Sequence, residues 1–298
     1  MSSTHPTTLP PGTFTADDGV VLRAMTPEDL PAAHALSAEL RWPHRASDWE
    51  QTFAHAEGMV AVRDGHIVAT ALRWLWGDGH ATIGLVIVSP AYQGRRIGHR
   101  LMSALLQDLE GRTVLLHATA EGRGLYERLG FVRTGEVRQH QGMALPTPLI
   151  ALARGCRLRP AGLNESQALH RLDAQARGMP RPALIDDLLK QSEACVVLDC
   201  EGEQLGFAML RRFGRGHAIG PVIAPDVEGA KALIAHLAGM NAGRFTRIDV
   251  DFDSGMTEWL ESIGLLRVDA PTTMVRGEPL QHPAGASRLY ALVTQAVG

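Results

Sequence analysis

The stretch Gln93-Gly94-Arg95-Arg96-Ile97-Gly98 combines hydrogen-bond donors, two cations and two glycines, the residue types that surround a bound phosphate. An apolar, β-branched run over residues 82–88 precedes it, and apolar residues recur at helical spacing after it as far as Leu109. The pattern predicts a strand, a short turn and a helix whose first turn carries the two arginines. Because a helix N-terminus offers unpaired N–H groups and the positive end of the helix dipole, we expect this unit to bind phosphate.

Two common nucleotide-binding patterns do not fit this turn. No Gly-Lys-Ser/Thr follows it, as a P-loop requires, and the three-glycine pattern of dinucleotide-binding folds is absent. A second pattern, Leu125-Tyr126-Glu127-Arg128-Leu129-Gly130-Phe131, follows about thirty residues later and predicts a short helix closed by glycine. Each pattern alone is found in many proteins, so the functional prediction depends on both occurring together in this order.

The composition is that of an ordinary globular protein and excludes several function classes. The chain has 298 residues, of which 45% are hydrophobic and 20% charged, so one large or two medium domains are expected. A net charge of -3 gives no reason to expect nucleic acid or an anionic membrane as partner. Three sparse cysteines predict neither a disulfide framework nor a zinc site. No apolar run approaches the ~20 residues of a membrane span, and the polar, proline-rich start is no signal peptide, so the cytoplasm is the expected location.

The order of predicted elements in the second half of the chain repeats that of the first. Val88-Ser89-Pro90, for example, has its counterpart in Ile223-Ala224-Pro225. This repetition predicts an internal duplication, with a linker at Pro146-Thr147-Pro148. The expected organisation is a disordered tail over 1–15, a first domain over 16–146, a second over 147–278, and a C-terminal tail over 279–298. A short helix is expected in that tail over 287–297, packing on a neighbouring element or on a second subunit of a homodimer.

Together, the turn at 93–98 and the Tyr126 motif resemble the GNAT (Gcn5-related N-acetyltransferase) superfamily in its tandem form. Its signature, Gln/Arg-x-x-Gly-x-Gly/Ala, is matched at both ends by Gln93 and Gly98, whereas Arg96 stands where the middle glycine is usual. We expect Arg96 to adopt a helical φ there. The resemblance covers residues 20–145 well and 156–276 by element order. It implies an α/β (α+β) fold of two tandem domains, each a mixed, mostly antiparallel twisted sheet flanked by helices.

The resemblance implies acetyl-CoA as cosubstrate and no metal. The diphosphate would bind the N–H groups of 94–99, and the extended pantetheine arm would pair with the backbone of 86–88. The same backbone would polarise the thioester carbonyl. The residues expected to bind acetyl-CoA are Val86, Ile87, Val88, Gln93, Gly94, Arg95, Arg96, Ile97, Gly98, His99 and Thr119.

Tyr126 stands where the family carries the tyrosine that protonates the leaving thiolate. A phenol near the sulfur can donate its proton, although the same side chain could serve only as a wedge between helix and sheet. The proton acceptor for the incoming amine is not evident, because residues 80–88 contain no carboxylate. His44, His80, His117 and a water relay remain the candidates.

The acceptor, a small amine or an amino group on a peptide, is expected to contact the first two helices and their loop. This region is unusually aromatic, and an exposed tryptophan beside histidine and aspartate suits an amine. The candidates are Trp42, His44, Asp48 and Trp49. The two tryptophans could equally fill a domain interface.

The second half lacks the residues that would make it catalytic. Asp226 and Glu228 occupy the places of Arg95 and Arg96, where carboxylates would satisfy the helix dipole and repel a diphosphate. Alignment of the closing glycines puts Leu260 opposite Tyr126. We therefore expect a structural role for this half, or a wall of the acceptor cleft built with Asp173, Arg177 and Arg181. The sequence thus predicts an acetyl-CoA-dependent N-acetyltransferase, and the alternative is a non-catalytic acyl-CoA sensor.

Overall fold

The computed structural model describes residues 14–15 and 18–298. The chain divides into two compact units: unit 1 comprises residues 1–74 and 83–110, and unit 2 comprises residues 75–82 and 111–298. The strands in the described part of the chain are β1 (Phe14–Thr15), β2 (Val21–Ala24), β3 (Glu57–Arg63), β4 (His66–Trp76), β5 (His80–Val88), β6 (Thr113–Ala118), β7 (Val132–Met143), β8 (Cys156–Pro160), β9 (Ala194–Cys200), β10 (Glu203–Phe213), β11 (Gly216–Ala224), β12 (Phe245–Asp251), β13 (Leu266–Asp269), β14 (Thr272–Arg276) and β15 (Arg288–Ala291). The α-helices in that part are α1 (Leu30–Glu39), α2 (Ala46–Phe53), α3 (Ile97–Leu106), α4 (Arg123–Arg128), α5 (Ser166–Arg177), α6 (Pro182–Gln191), α7 (Val227–Met240) and α8 (Thr257–Ser262).

The N-terminal tail was expected to be disordered over 1–15. Residues 1–13 lie outside the described residues, and Phe14–Thr15 form a strand that pairs with β2, so the prediction is wrong for these two. None of the described helices is long and apolar enough to cross a membrane.

In unit 1, β1 to β4 form an antiparallel meander. The dipeptide Asp64-Gly65 predicts a hairpin between these strands, and the structure confirms it: both residues have positive φ (50° and 78°), and Arg63 pairs with His66 across the turn. Helix α3 buries Ile97, Leu101 and Leu105, which recur at the spacing of one helix face.

A buried arginine holds α3 to this sheet. The Arg73 side chain, on β4, is fully buried and donates to Glu57 on β3 at 2.9 and 2.6 Å. Its remaining nitrogen, Nη1, donates to the carbonyl of Leu105 on α3 at 2.7 Å. Because the guanidinium is both ion-paired and hydrogen-bonded, its burial is compensated and it fixes α3 relative to β3 and β4.

In unit 2 the two halves of the chain exchange strands. Strand β14, from the second half, lies between β6 and β7 of the first, so that Met274 faces Leu116 on one side and Arg133 on the other. Strand β7 pairs with β14 along its first part and then with β12, from Val137↔Asp251 to Met143↔Phe245. The linear order of elements predicts a duplication but contains no signal for this exchange.

The helix predicted over 287–297 is wrong. Arg288–Ala291 is strand β15, which pairs with β11 and, through Ala291, with Val250 of β12. The run from Leu289 to Val293 is buried throughout. A short, continuously apolar run fits a buried strand and a buried helix equally well, and here the backbone groups of β11 supply the partners.

The expectation that the cysteines form no disulfide is also wrong. Cys156 on β8 is bonded to Cys200 on β9, and these residues are direct cross-strand partners. The separation of 44 residues along the chain gave no hint of the pairing, because only the strand register brings the two together. Cys195 remains a buried free thiol.

Candidate active site

The turn between β5 and α3 adopts the conformation that a glycine-rich cradle requires. A single 3-10 turn at Pro90–Tyr92 ends β5, and Gly94 then takes a φ of 77°. Arg96 caps α3 with φ 59° and ψ 14°, in the left-handed region. The expected helical φ for Arg96 is therefore wrong: the family's usual glycine reflects a left-handed conformation, which this arginine adopts at some cost.

The backbone of this turn presents a run of free donors. Within the described chain, no carbonyl or side chain accepts a hydrogen bond from the N–H groups of 94–99. The first such bond of α3 runs from the N–H of Arg100 to the carbonyl of Arg96 at 3.0 Å. Six successive unpartnered amides at and before a helix N-terminus form a group of donors suited to a diphosphate.

Cations border these amides. Arg95 and Arg96 are exposed, and the Arg95 guanidinium carbon lies 5.2 Å from the centre of the Tyr92 ring. Arg63 lies over the same ring at 5.9 Å. The Arg95–Tyr92 contact holds one positive charge near the turn without consuming it in an ion pair.

Strand β5 carries a local distortion just before the predicted pantetheine-binding residues. Leu85 has a φ of 50°, and its carbonyl accepts a hydrogen bond from the Thr70 hydroxyl at 2.9 Å. A positive φ at a leucine is strained, and strained backbone clusters at ligand sites. At the end of the strand, the Gln93 side chain donates to the carbonyl of Val88 at 3.1 Å, which ties the turn to the strand. Val86 and Val88 are half-buried, and Ile87 points into the core.

Tyr126 lies in unit 2 on α4 and is 8% exposed. Its ring meets Phe131, the residue before β7, edge-on at 6.1 Å. The hydroxyl makes no hydrogen bond to any described residue. Burial raises the pKa of Tyr126 to about 12, so the phenol keeps its proton at neutral pH. Thr119 is exposed nearby, and its hydroxyl accepts from the N–H of Gly122 at 3.3 Å.

Two of the candidate bases are poor proton acceptors in their surroundings. Burial, with a smaller contribution from Arg177, lowers the pKa of His117 to about 3. Burial, then Arg112, also lowers the pKa of His80. His44 lies between the rings of Trp42 and Trp49, with centroids 5.9 and 6.3 Å away.

The sequence missed a carboxylate at the end of β5. The Ser89 hydroxyl donates to Glu39, the last residue of α1, at 3.3 Å. The two residues are fifty positions apart, so only the fold reveals the contact.

The residues that were predicted to bind the acceptor lie together in unit 1. Two of them are buried and make hydrogen bonds within that unit. Trp49 is 1% exposed and donates from Nε1 to the Ser37 hydroxyl at 3.1 Å. Asp48 accepts from the backbone N–H of Arg45 at 2.8 Å and from its guanidinium at 2.6 Å. Trp42 and His44 are half-buried. The roles of all four in acceptor binding stay predictions.

At the equivalent helix start in the second half, the free donors are replaced by a cap. Asp226 accepts from the N–H of Gly229 at 2.7 Å and so satisfies one of the N–H groups at the N-terminus of α7. Leu260 replaces Tyr126, and its side chain is fully buried.

Strand β15 closes the second half further. The parallel ladder of β11 with β12 contains His217↔Thr246 and Ala218↔Arg247. Beyond these pairs β15 lies between the two strands. The corresponding ladder of β5 with β6 contains three pairs, from His80↔Thr113 to Thr82↔Leu115.

Comparison with known proteins identifies the fold and the family. The acetyltransferase (GNAT) domain matches residues 23–147, and a second acetyltransferase (GNAT) domain matches residues 169–291. The chain is 29% identical over 239 residues to the uncharacterized N-acetyltransferase YitH of Bacillus subtilis, covering 78% of this chain and 82% of that protein.

Two solved structures share the fold. A putative acetyltransferase from Pyrococcus horikoshii superposes with a TM-score of 0.76 at 20% identity, covering 96% of this chain and 98% of the other. A tandem GNAT protein from the clavulanic acid biosynthesis pathway gives a TM-score of 0.62 at 13% identity, covering 87% and 99%. These matches confirm the predicted fold class, a mixed, largely antiparallel sheet flanked by helices. The chain therefore belongs to the GNAT superfamily of N-acetyltransferases and carries two GNAT domains in tandem.

Proposed function

We propose that this protein transfers an acetyl group from acetyl-CoA to a primary amine by direct attack, using only its first GNAT domain. The observation that carries the proposal is the run of six free N–H groups at 94–99, flanked by Arg95 and Arg96. A dianionic diphosphate satisfies these donors and the helix dipole together. No described cluster of His, Cys, Asp or Glu side chains could hold a metal ion, and the proposal uses none.

The backbone of β5 beyond Leu85 would hold the pantetheine arm. The arm is an extended diamide, so it can pair with a strand edge, and an N–H of the same strand can polarise the thioester carbonyl. The left-handed Leu85 sets the direction of the peptide groups that follow it. Polarisation makes the carbonyl carbon electrophilic enough for direct attack, without a covalent enzyme intermediate.

In the transfer step, the amine nitrogen forms a bond to the carbonyl carbon and the carbon–sulfur bond breaks. The departing thiolate takes a proton from Tyr126, whose hydroxyl is protonated and free of other partners. The nitrogen gives up its proton to a base. We assign this role to Glu39, directly or through water, because Ser89 holds its carboxylate at the end of β5.

Acetyl-CoA titration and a thiol-release assay test the proposal. Calorimetry on the full chain is expected to show one acetyl-CoA site, and a panel of primary amines to release free thiol. The double variant Arg95→Glu, Arg96→Glu should weaken binding roughly tenfold or more, because charge-assisted bonds to the diphosphate are lost. Arg215→Glu makes the same change at an exposed arginine of unit 2 and should leave binding unchanged. Absence of acetyl-CoA binding would refute the proposal.

A non-catalytic acyl-CoA sensor is the second candidate. Two observations favour it: residues 80–88 carry no carboxylate, and His117 is too weak a base at a pKa of about 3. The same assays separate the two candidates. A sensor binds acetyl-CoA with no turnover on any amine, and Glu39→Gln then changes nothing measurable.

A further inference from the structure

The residues that the sequence suggests as a wall of an acceptor cleft are already occupied by the chain itself. Arg181 is fully buried and forms a two-bond ion pair with Asp173 at 3.0 and 2.7 Å. It also donates to the carbonyl of Val297 at 2.8 Å. The backbone of Gly298 lies directly against the Nε and Nη2 edge of Arg177, so that edge has no room for a partner from outside the chain. A binding site in unit 2 would have to lie elsewhere.

Strand pairing brings polar and apolar side chains together on one face of the sheet in unit 2. On one side of β7, Gln141 lies opposite Arg247 of β12, and on the other side it lies opposite Leu266 of β13. Directly opposed residues of antiparallel strands present their side chains on the same face, with Cβ atoms about 5 Å apart. Met143 follows Gln141 two residues along β7, so it points to that face as well.

This face is the one turned away from α7. Along β12, Ile248 and Val250 alternate with Arg247, and both belong to the apolar core that includes Leu233 of α7. Because successive side chains of a strand point to opposite faces, Arg247 lies on the other side of the sheet. The side chains around Arg247 are thus separate from the capped start of α7.

Arg247 is held by one edge of its guanidinium and leaves the other edge accessible. The side chain is 12% exposed and donates to Asp249 from Nε at 3.0 Å and from Nη2 at 2.7 Å. Its guanidinium carbon lies 5.6 Å from the centre of the Phe213 ring. The third nitrogen, Nη1, has no partner among the described residues, and it is not buried. Two N–H groups in a fixed plane are therefore open to an acceptor.

A chain of amide groups orients a second donor beside Arg247. Gln295 donates from Nε2 to Oε1 of Gln139 at 3.1 Å, and Gln139 donates from Nε2 to Oε1 of Gln141 at 3.1 Å. Since Oε1 of Gln141 already accepts, its Nε2 is the group that remains. This Nε2 is accessible and finds no acceptor in the described part of the chain. Because Gln141 lies opposite Arg247, the donors of both residues can meet one anion.

Two large apolar side chains border these donors. Leu266 is 60% exposed and Met143 is 55% exposed. They flank Gln141, one across the strand pair with β13 and the other along β7. Exposed apolar side chains next to a few converging polar groups are typical of a ligand-binding surface.

We propose that this face of the second GNAT domain binds a monocarboxylic acid with an apolar body, of the chemical class of a medium-chain fatty acid. The two carboxylate oxygens accept from Nη1 of Arg247 and Nε2 of Gln141, and the apolar body covers Leu266 and Met143. Asp249 is a positioning residue, because it holds the guanidinium by its other edge. A more highly charged anion fits less well, since the Asp249 carboxylate lies beside the site.

The site is independent of the proposed acetyl transfer and is tested without acetyl-CoA. Calorimetry and thermal unfolding of the full chain are measured with octanoate, with octanamide and with acetate. Octanoate is expected to raise Tm and to bind at least about tenfold more tightly than either of the others. Octanamide lacks the charge that strengthens the hydrogen bonds, and acetate lacks the apolar body. Equal binding of octanoate and octanamide, or of octanoate and acetate, would overturn the proposal.

A charge-reversing variant locates the carboxylate. Gln141→Glu puts a negative charge where the amide donor stood, so octanoate should bind at least about tenfold more weakly. Gln167→Glu makes the same change at an exposed glutamine of unit 2 and should leave binding unchanged. Octanoate binding that is unaltered in Gln141→Glu would place the ligand elsewhere and refute the site.

A double variant tests the arginine without leaving an unpaired charge in the protein. Arg247→Gln with Asp249→Asn removes both charges together, so the chain should stay folded while the preference for octanoate over octanamide is lost. Arg159→Gln with Asp199→Asn does the same at another ion pair of unit 2 and should keep the preference. A preference that survives in the first double variant would contradict the role of Arg247.

The apolar border is tested at a surface position, where the fold is little affected. Leu266→Ser should weaken octanoate binding several-fold, because part of the buried hydrocarbon contact is lost, and should leave acetate binding as it was. Leu163→Ser changes a leucine that is 62% exposed and should have no effect. Equal losses in the two variants would show that Leu266 does not contact the ligand.

Discussion

The helices α3 and α7 begin at equivalent places in the two GNAT domains, yet they treat their first turns in opposite ways. At α3, the N–H groups of 94–99 have no hydrogen-bond partner among the described residues, and two exposed arginines stand beside them. At α7, Asp226 caps the N–H of Gly229, and Glu228 adds a second carboxylate to the first turn. The first arrangement invites an anion, whereas the second supplies its own. The difference shows that the fold accepts either arrangement of the N–H groups at this helix start, left open in α3 or capped by a carboxylate in α7.

The short helices α4 and α8 share a backbone arrangement but carry different side chains at the position of the proposed proton donor. The carbonyl of Tyr126 accepts from the N–H groups of Leu129 at 3.0 Å and Phe131 at 3.1 Å. The carbonyl of Leu260 accepts from Ile263 at 3.2 Å and Leu265 at 3.0 Å. The backbone hydrogen bonds are the same, so the two domains differ here in the side chain, which carries a hydroxyl in Tyr126 and none in Leu260.

The two domains also differ beside the strand that precedes α3 or α7, which is β5 in the first domain and β11 in the second. In the second domain, β15 pairs with both β11 and β12 and fills the place where the two strands part. The chain thus occupies, with its own backbone, the edge that corresponds to the proposed pantetheine-binding edge of β5. We therefore expect two independent changes, the cap and the strand, to leave the second domain without a cosubstrate site.

The sharpest test of this comparison replaces Tyr126 by the nearest residue without a hydroxyl. Tyr126→Phe should lower kcat about 100-fold, since proton transfer by a positioned group contributes roughly that much, while acetyl-CoA affinity stays unchanged. Steady-state kinetics and calorimetry measure the two quantities separately. The matched control is Tyr290→Phe, a buried tyrosine of the second half, which should leave kcat unaltered. Equal activity of Tyr126→Phe and the parent chain would mean that Tyr126 is only a wedge.

The next largest effect concerns a histidine that the second domain lacks. Counting four residues on from the ladder pairs at Thr113 and Thr246 aligns His117 with Val250, which is fully buried. The folded pKa of His117 is about 3, and an unfolded histidine titrates near ~6.5. The unfolded chain therefore binds more protons between these values, so stability falls as pH falls.

Because of this histidine, we expect the free energy of unfolding to fall by about 2 kcal/mol as the pH is lowered from 7 to 5. His117→Val, which copies the second domain, should flatten that part of the stability–pH profile in urea unfolding. His236→Gln changes an exposed histidine and should leave the slope as it is. A profile equally steep in His117→Val would show that His117 is not the group responsible.

The sequence predicted the features that short-range patterns encode. The strand, turn and helix around 82–109, the Asp64-Gly65 hairpin and the duplication all follow from periodicity and turn residues. The replacement of the cradle by Asp226 was also readable, because a carboxylate at a helix start has one dominant use. What failed depends on distant partners: the Cys156–Cys200 bond, the strand character of 288–291 and the contact of Glu39 with Ser89.

The backbone conformation of single residues was the other feature that the sequence did not predict. Arg96 was expected to be helical because arginine is a good helix former, but the turn geometry required a left-handed residue there. The strained Leu85 directly follows Gly84 in an otherwise apolar run, and this glycine is the one local sign of an irregular strand, although it does not indicate a positive φ at the leucine. Both exceptions fall within the proposed acetyl-CoA site, where local preference yields to the shape of the ligand.

Removing the cap of α7 tests whether the second domain is closed for more than one reason. Asp226→Ala should destabilise the protein by about 1 kcal/mol, the usual effect of losing an N-cap. Acetyl-CoA stoichiometry should stay at one per chain, because β15 still lies between β11 and β12. Glu228→Ala removes an exposed carboxylate from the same turn and should cost less. A second acetyl-CoA bound to Asp226→Ala would refute the idea that β15 closes this domain.

The smallest expected effect separates strain from charge at the start of α3. Arg96→Gly relieves a left-handed φ of 59°, and the stability should rise by roughly 0.5 kcal/mol after allowing for the greater freedom of glycine when unfolded. The same change removes one exposed cation, so acetyl-CoA should bind a few-fold more weakly. Arg95→Gly loses a cation at a residue without a positive φ, so it should weaken binding with no gain in stability. Opposite signs for stability and affinity, found in Arg96→Gly alone, would show that the first domain accepts strain to place a charge where the second placed a cap. A fall in both quantities would instead mean that Arg96 is unstrained.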